Sequence, residues 1–266
     1  DSARFVWVDR GTVDAVTRVA AIDCGTNSIR LLVADVAGSV RAAGEGGLAA
    51  RGGVGGGSGG PAVKALTDVE RRMEIVRLGA GVDRTGVLDA QALERAFATI
   101  RTYRDRLQAL GAKKLRFVAT SATRDAANRD VFVEGVREIL GVEPEVITGE
   151  EEAALSFAGA TSVATGPDPI LVVDIGGGST ELVLGAADTV ISQISLDVGS
   201  VRMKERHLRH DPPTTREEAA ARADVASHLA RAAAIVDLGS TATLVGVAGT
   251  ITSVTAEVLD LDRYRP

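Results

Sequence analysis

Short apolar runs, each followed by a glycine-rich or polar turn, recur along this chain. In LVVDIGGGSTELVL, aliphatic and β-branched runs predict strands at Ile170–Asp174 and Glu181–Leu184. Between them lie the consecutive glycines Gly176, Gly177 and Gly178, which let the backbone approach a ligand with no Cβ atom in the way. The pattern predicts a hairpin whose turn binds a ligand, although a plain glycine-rich turn would give the same pattern.

The chemistry of this turn favours an anion. Successive backbone N–H groups in such a turn form an anion-binding nest, and Ser179 and Thr180 add hydroxyl donors. Asp174 ends the first strand, so its carboxylate is predicted to point into the same space. Phosphate held together with a hydrated Mg²⁺ suits this combination of groups.

A second copy of the pattern lies near the start of the chain. The segment AAIDCGTNSIRLLVA has the same order of apolar strand, aspartate, turn, serine and apolar strand. Aligning the aspartates also aligns the glycines and serines of the two turns: Asp23 with Asp174, Gly25 with Gly176, Ser28 with Ser179. Two related halves are therefore predicted, each offering one phosphate-binding turn to a shared cleft.

The remaining apolar periodicity predicts alternating strands and helices. Asp89–Leu110 reads as an amphipathic helix that Asp89 caps at its start and Gly111 closes. Further helices are predicted after TSATR up to Gly141, after a capping box at Thr148–Glu151, from Ser200 to Arg206, from a Thr215–Glu218 cap to about Val236, and after Ala248. The other strands are predicted at Val19–Asp23, Ile29–Val36, Val69–Leu78, Leu115–Ala119, Glu145–Ile147, Val190–Val198 and Leu244–Ala248.

Linker-like composition suggests how the chain is divided. Residues 1–16 have no clear pattern and are predicted to be a disordered leader or a misassigned start. Gly44–Gly60 is glycine-rich and is predicted to be a flexible insertion. Thr161–Pro169 marks the predicted boundary between a first domain, 17–160, and a second, 161–266.

Composition excludes several classes of protein. The chain has 266 residues, of which 45% are hydrophobic and only 3% aromatic, so stacking of nucleic-acid bases on aromatic side chains is disfavoured. A net charge of −6 argues against a nucleic-acid or membrane-surface binder. The single cysteine, Cys24, allows no internal disulfide. Without a visible signal peptide or membrane-spanning run, a cytoplasmic location is predicted.

The motifs together resemble a known family. DCGTNS, TSATR, GEEEA, DIGGGSTEL and AGT occur in the order found in the exopolyphosphatase / guanosine pentaphosphate phosphohydrolase family of the actin-like ATPase superfamily. The resemblance runs from about Thr17 to Leu259 and implies two α/β domains of the actin-like (ribonuclease H-like) type, with a cleft between them. It also implies hydrolysis of a phosphoanhydride bond.

The resemblance assigns roles to individual residues. Glu152 matches the catalytic base, Asp174 and Glu181 match acids that bind Mg²⁺, and Asp23 is expected to reach the ion through water. The family often has an arginine two residues after the base, where this chain has Ala154. The residues expected to bind substrate phosphates are Gly25, Thr26, Asn27, Ser28, Arg124, Gly176, Gly177, Gly178, Ser179, Thr180, Gly249 and Thr250.

The expected substrate is inorganic polyphosphate, with guanosine pentaphosphate as the alternative. Two other classes stay open: an actin-like kinase or ATPase, and a catalytically silent sensor of polyphosphate or guanosine pentaphosphate. Family members are often dimeric and continue beyond the last helix of this chain. A homodimer and an incomplete second domain are therefore further expectations.

Three features have competing interpretations. Cys24 could be a nucleophile, but its place in a tight turn favours a structural role. His207 and His210 could suggest a metal pair, yet no acidic or cysteine ligand accompanies them in the sequence, so zinc is disfavoured. Arg77 could face the cleft or be an ordinary surface arginine.

Overall fold

A computed structural model describes residues 16–37, 66–187 and 189–262 of the chain. The predicted leader, apart from Val16, and the glycine-rich insertion Gly44–Gly60 lie outside the described residues. The described part is a mixed α/β structure with two sheets, as predicted. None of its helices combines the length and the apolar character needed to cross a membrane.

The first sheet has five strands in the order β3-β2-β1-β4-β5. The strands β1 to β3 form an antiparallel meander, and β4 and β5 continue it in parallel with β1. The pairing brings the end of β1 beside the end of β4, so the first predicted turn and the TSATR segment share one edge. The strands are β1 Val16–Cys24, β2 Ser28–Ala37, β3 Leu66–Ile75, β4 Lys114–Ala119 and β5 Glu145–Val146.

Helices cover the first sheet and complete its core. They are α1 Val82–Thr85, α2 Ala90–Leu110, α3 Ser121–Asp125 and α4 Arg129–Leu140. The predicted caps of α2 are confirmed: Asp89 accepts the N–H groups of Gln91 and Ala92, and Gly111 ends the helix in the left-handed region. The buried face of α2 contributes Ile100 and Tyr103 to an apolar core that fixes the sheet beneath the site.

The second sheet repeats the strand order of the first over four strands, β8-β7-β6-β9. Its first three strands are again an antiparallel meander, and β9 is parallel to β6. This repetition agrees with the two related halves predicted from the motifs. The strands are β6 Ile170–Ile175, β7 Thr180–Ala186, β8 Thr189–Leu196 and β9 Thr243–Val247.

Helices cover both faces of the second sheet. They are α5 Gly149–Thr161, α6 Ser200–His207, α7 Thr215–Ala233 and α8 Ala248–Val258, with a 3₁₀ turn at Leu238–Ser240. Phe157 of α5 packs on one face and Ala232 of α7 on the other. The predicted domain division after residue 160 and the incompleteness of the second domain stay predictions. Helix α5, which ends one residue past that division, packs on the second sheet.

Two predicted helix boundaries are wrong. The cap of α7 is Thr214 with Glu217, one residue earlier than the predicted pair, because Thr214 has the extended backbone that an N-cap requires. The helix predicted from TSATR to Gly141 is divided into α3 and α4. Asn128 explains the break, because its side chain binds both the N–H and the carbonyl of Leu88 and fixes the chain between the two helices.

Candidate active site

The two predicted phosphate turns have the same backbone hydrogen bond. In the first turn, the N–H of Gly25 donates to the carbonyl of Ser28 at 3.0 Å. In the second, the N–H of Gly176 donates to the carbonyl of Ser179, also at 3.0 Å. The alignment made from the sequence therefore corresponds to a shared turn geometry.

Strand register places the acidic residues beside the turns. Asp174 of β6 lies directly opposite Glu181 of β7, and Asp23 of β1 lies opposite Arg30 of β2. Directly paired residues share one face of a sheet with their Cβ atoms about 4.5–5.5 Å apart. Two carboxylates therefore stand side by side at the second turn, whereas a carboxylate and a guanidinium stand at the first.

The two turns are in direct contact with each other. A Cβ atom built on Gly178 would lie 2.5 Å from both the Thr26 and Ser121 hydroxyl oxygens, so no larger residue fits there without a shift. These two hydroxyls also hydrogen-bond to each other at 2.8 Å. The structure thus brings the DCGTNS, TSATR and DIGGGSTEL motifs together, as the resemblance implies.

Serine hydroxyls orient the two adjacent carboxylates. Ser156 donates to Asp174 at 2.6 Å, and Ser195 donates to Glu181 at 2.7 Å. Glu181 is almost fully buried, with 1% of its surface exposed. Burial, together with repulsion from Glu152, raises the pKa of Glu181 above its ordinary value.

Glu152 lies in the first turn of α5, facing the same carboxylates. Its side chain is 18% exposed, and one oxygen lies 3.3 Å from the guanidinium of Arg124. Burial raises the pKa of Glu152, and repulsion from Asp174 and Asp23 adds to the rise, while Arg124 opposes it. A carboxylate with a raised pKa is suited to accept a proton from water near neutral pH.

The acidic groups have the chemistry of a magnesium site. Among the described residues, no three His, Cys, Asp or Glu side chains are assembled to hold a metal ion. However, Mg²⁺ is usually bound by one or two protein carboxylates, with waters and substrate phosphates completing its octahedron. Asp174 and Glu181 provide such a pair. Burial raises the pKa of Asp23, and repulsion from the nearby Asp174 adds a smaller rise. These residues fit Mg²⁺.

Several predicted phosphate-binding groups already have partners in the protein. Arg124 donates to the carbonyl of Ile147 at 2.9 Å as well as contacting Glu152. The Thr180 hydroxyl donates to the carbonyl of Val198 at 2.6 Å. To bind a phosphate, Arg124 and Thr180 would have to share their donor groups with it or release their present partners. Their roles in substrate binding therefore stay predictions.

The last predicted motif reaches the same edge of the second sheet. β9 ends at Val247, which pairs with Asp174 of β6, and Gly249 and Thr250 follow in the first turn of α8. They occupy the position in the second half that Ser121 occupies in the first, where α3 follows β4. Their contact with substrate stays a prediction.

Cys24, His207 and His210 each have neighbours that bear on their competing interpretations. Cys24 is 1% exposed, and burial raises the pKa of its thiol well above the ordinary value, which favours the structural role. His207 and His210 contact different acids, Asp224 and Glu217, so these hydrogen bonds give them no shared acidic partner.

Arg77 is exposed and has a left-handed backbone with φ 51°. Its N–H donates to the carbonyl of Asn27 at 2.9 Å. The backbone of Arg77 therefore supports the first predicted phosphate turn.

Comparison with known proteins agrees with this geometry. A sequence model of the Ppx/GppA phosphatase family matches residues 59–261. The chain belongs to this family. Exopolyphosphatase 2 of Mycobacterium tuberculosis is 44% identical to this Ppx/GppA protein over 256 residues, which are 94% of this chain and 73% of that protein.

Solved structures of similar proteins have the same fold. The crystal structure of an exopolyphosphatase-like protein superposes with a TM-score of 0.82 at 43% identity, covering 94% of this chain and 72% of that one. The Aquifex aeolicus PPX-GPPA enzyme superposes with a TM-score of 0.68 at 30% identity, covering 94% and 74%. The motif resemblance predicted this family membership correctly.

Sequence reasoning missed three residues of the site. Ser156 had a signal, since it lies four residues after Glu152 and helical spacing puts both on one face of α5. Ser195 of β8 could be found only from strand register. Arg202 of α6 contacts both halves of the protein, and these contacts depend on the tertiary structure, which no local sequence pattern predicts.

Gly199 supports the second turn, and Gly199→Ala is expected to disrupt it. A Cβ atom there would lie 2.4 Å from the carbonyl carbon and oxygen of Gly177, so backbone would have to move. We expect kcat/KM for polyphosphate to fall at least about 10-fold, as when one donor of an anion hole is displaced.

The matched control is Gly159→Ala in α5, where an added Cβ atom meets nothing within 4 Å. This variant should keep its activity, measured as orthophosphate release under the same conditions. Normal activity in Gly199→Ala would show that the position of the second turn does not matter.

Proposed function

We propose that this protein is an exopolyphosphatase, which hydrolyses the terminal phosphoanhydride bond of inorganic polyphosphate and releases orthophosphate in a Mg²⁺-dependent reaction. One observation carries the proposal: two turns of equivalent geometry meet beside a pair of carboxylates, with Glu152 facing that pair. Two phosphate turns suit a substrate with successive phosphates. The name of the Mycobacterium tuberculosis relative agrees with this activity.

The residues of the site have separate roles in the reaction. The backbone N–H groups of the two turns bind successive phosphates and hold the terminal phosphoryl group in place. Glu152 accepts a proton from the attacking water, whose oxygen bonds to the terminal phosphorus while the bridging P–O bond breaks. The products are orthophosphate and a chain shorter by one phosphate.

Mg²⁺ would be held by Asp174 and Glu181, with Asp23 contacting it through water. When bound, the ion would neutralise the negative charge that develops on the departing phosphate. Ser156 and Ser195 keep the two carboxylates oriented for this task.

The test is orthophosphate release from long-chain polyphosphate without any nucleotide, in Mg²⁺ and in excess chelator. We expect release in Mg²⁺ and its loss in chelator. Activity only in the presence of ATP would favour a kinase or ATPase instead. Binding of polyphosphate without turnover would favour a silent sensor.

We further propose that long-chain polyphosphate is preferred to guanosine pentaphosphate. Every aromatic residue within the described part of the chain packs in an apolar core, so these residues offer the guanine base no stacking surface. They are Phe97, Tyr103, Phe117, Phe132 and Phe157. A polymer also presents the same phosphate contacts repeatedly, which allows rebinding after each cleavage.

Competition between the two substrates tests this preference. With Mg²⁺ and equal concentrations of phosphoanhydride bonds, kcat/KM should be higher for polyphosphate. A higher kcat/KM for guanosine pentaphosphate would reverse the ranking and require a base pocket built from backbone groups near Ala248–Thr250.

A cytoplasmic location and a homodimer complete the proposal. The location is supported by the buried, unpaired thiol of Cys24, which suits a reducing compartment. The homodimer rests on the family resemblance alone. Fractionation of cells and the mass of the protein in solution would test the two separately.

A further inference from the structure

Helix α6 donates hydrogen bonds to the carbonyl groups of the second phosphate turn. The N–H of Ser200 donates to the carbonyl of Gly176 at 3.1 Å, and the N–H of Val201 donates to the carbonyl of Gly177 at 2.9 Å. The next carbonyl, that of Gly178, accepts instead from the Arg202 side-chain Nε at 2.7 Å. Three successive carbonyls of the turn are thus bound on the α6 side.

The opposite side of the same peptides carries the N–H groups. In a trans peptide the carbonyl and the following N–H point in opposite directions. Fixing these carbonyls toward α6 therefore turns the N–H groups of Gly177, Gly178 and Ser179 away from it, as an anion-binding nest requires. Arg202 controls the last of the three peptides, and with it the direction of the Ser179 N–H.

Arg202 also connects this turn to the first half of the protein. Its Nη1 donates to Asp83 of α1 at 2.8 Å, and its Nη2 donates to Asp125 of α3 at 2.6 Å. The side chain is 13% exposed, so these contacts are little screened by water. Each nitrogen of the planar guanidinium has its own partner, a geometry that lysine cannot reproduce.

We propose that Arg202 is a positioning residue that aims the second phosphate turn and sets its distance from the first. The proposal rests on the proposed function in taking the turn as a phosphate site. Arg202 touches no phosphate in this account. It acts through the Gly178 carbonyl, while Asp83 and Asp125 fix the guanidinium relative to the first sheet.

Arg206 provides a matched control one helical turn further along α6. It donates to the same Asp83 and to Asp224, and so shares the contact between the two halves. Unlike Arg202, Arg206 donates no hydrogen bond to the second turn, because its hydrogen bonds go to these two acids. Comparing Arg202→Met with Arg206→Met therefore distinguishes an effect on the orientation of the second turn from an effect on the contact between the two halves.

The experiment measures binding of imidodiphosphate, a non-hydrolysable pyrophosphate analogue, by calorimetry with Mg²⁺ present. We expect Arg202→Met to bind about 10-fold more weakly, the effect of losing one charge-assisted contact, and Arg206→Met to stay within about twofold of the unmodified protein. The KM for polyphosphate should rise with the dissociation constant while kcat changes little, because binding common to ground and transition states is lost.

Several outcomes would overturn the proposal. They are unchanged binding in Arg202→Met, equal losses in Arg202→Met and Arg206→Met, or no binding by the unmodified protein. Should Arg202→Met unfold, Arg202→Lys is measured instead, and binding equal to that of the unmodified protein would overturn the proposal. Binding of imidodiphosphate without turnover of polyphosphate would contradict the proposed function while leaving the role of Arg202 intact.

Discussion

Replacing Glu152 by glutamine should lower kcat for polyphosphate by roughly 10²–10⁴-fold, the usual contribution of a general base. Glutamine keeps the shape of the side chain and can still accept a hydrogen bond, but it cannot take a proton from water. Substrate binding should stay within a few-fold, because the proposed phosphate contacts come from the turns and not from Glu152. Initial rates over a range of polyphosphate concentrations separate the two parameters.

The matched control is Glu150→Gln, because Glu150 lies in the same helical turn of α5 and is exposed. It should retain full activity. If Glu152→Gln is fully active while Glu150→Gln or Glu151→Gln is inactive, the base lies elsewhere on the helix. Glu151 has a separate structural task, since its carboxylate closes the capping box with Thr148.

The second large effect is expected for Asp174→Asn. This change removes a charge from the carboxylate pair, so the Mg²⁺ concentration that gives half-maximal activity should rise by about 10–100-fold or more, the loss seen when even the supporting partners of metal ligands are changed. Glu181→Gln should have a similar effect. The measurement is activity against free Mg²⁺ at saturating polyphosphate.

Asp105→Asn is a suitable control, because Asp105 is exposed on α2 and its ion pair within the described residues is with the adjacent Arg104. Its Mg²⁺ dependence should match that of the unmodified protein. An unchanged Mg²⁺ dependence in both Asp174→Asn and Glu181→Gln would exclude this pair as the metal site.

Local patterns in the sequence predicted much of the fold. Asp89 and Gly111 bound α2 as expected, and the capping box at Thr148 begins α5. The repeated aspartate-turn-serine motif located both hairpins, whose turns share one hydrogen-bond geometry. These features succeed because caps and tight turns are set by residues within a few positions of one another.

Features that depend on distant contacts were not predictable. The break between α3 and α4 follows from Asn128 binding the backbone of Leu88, 40 residues earlier in the chain. Arg202 reaches Asp83 across 119 residues. Sequence also placed Arg124 and Glu152 in one site through the family resemblance. Their contact with each other depends on the tertiary structure, which brings these residues together across 28 positions of the chain.

In the proposed mechanism, water attacks the terminal phosphorus of a chain held between two phosphate turns. Hydrolysis of long-chain polyphosphate in ¹⁸O-labelled water, followed by mass spectrometry of the products, shows which phosphorus atom water attacks. We expect orthophosphate as the small product, with one ¹⁸O atom from water, and an unlabelled chain shortened one phosphate at a time. Label in the shortened chain, or release of oligophosphates from internal cleavage, would exclude attack at the terminal phosphorus.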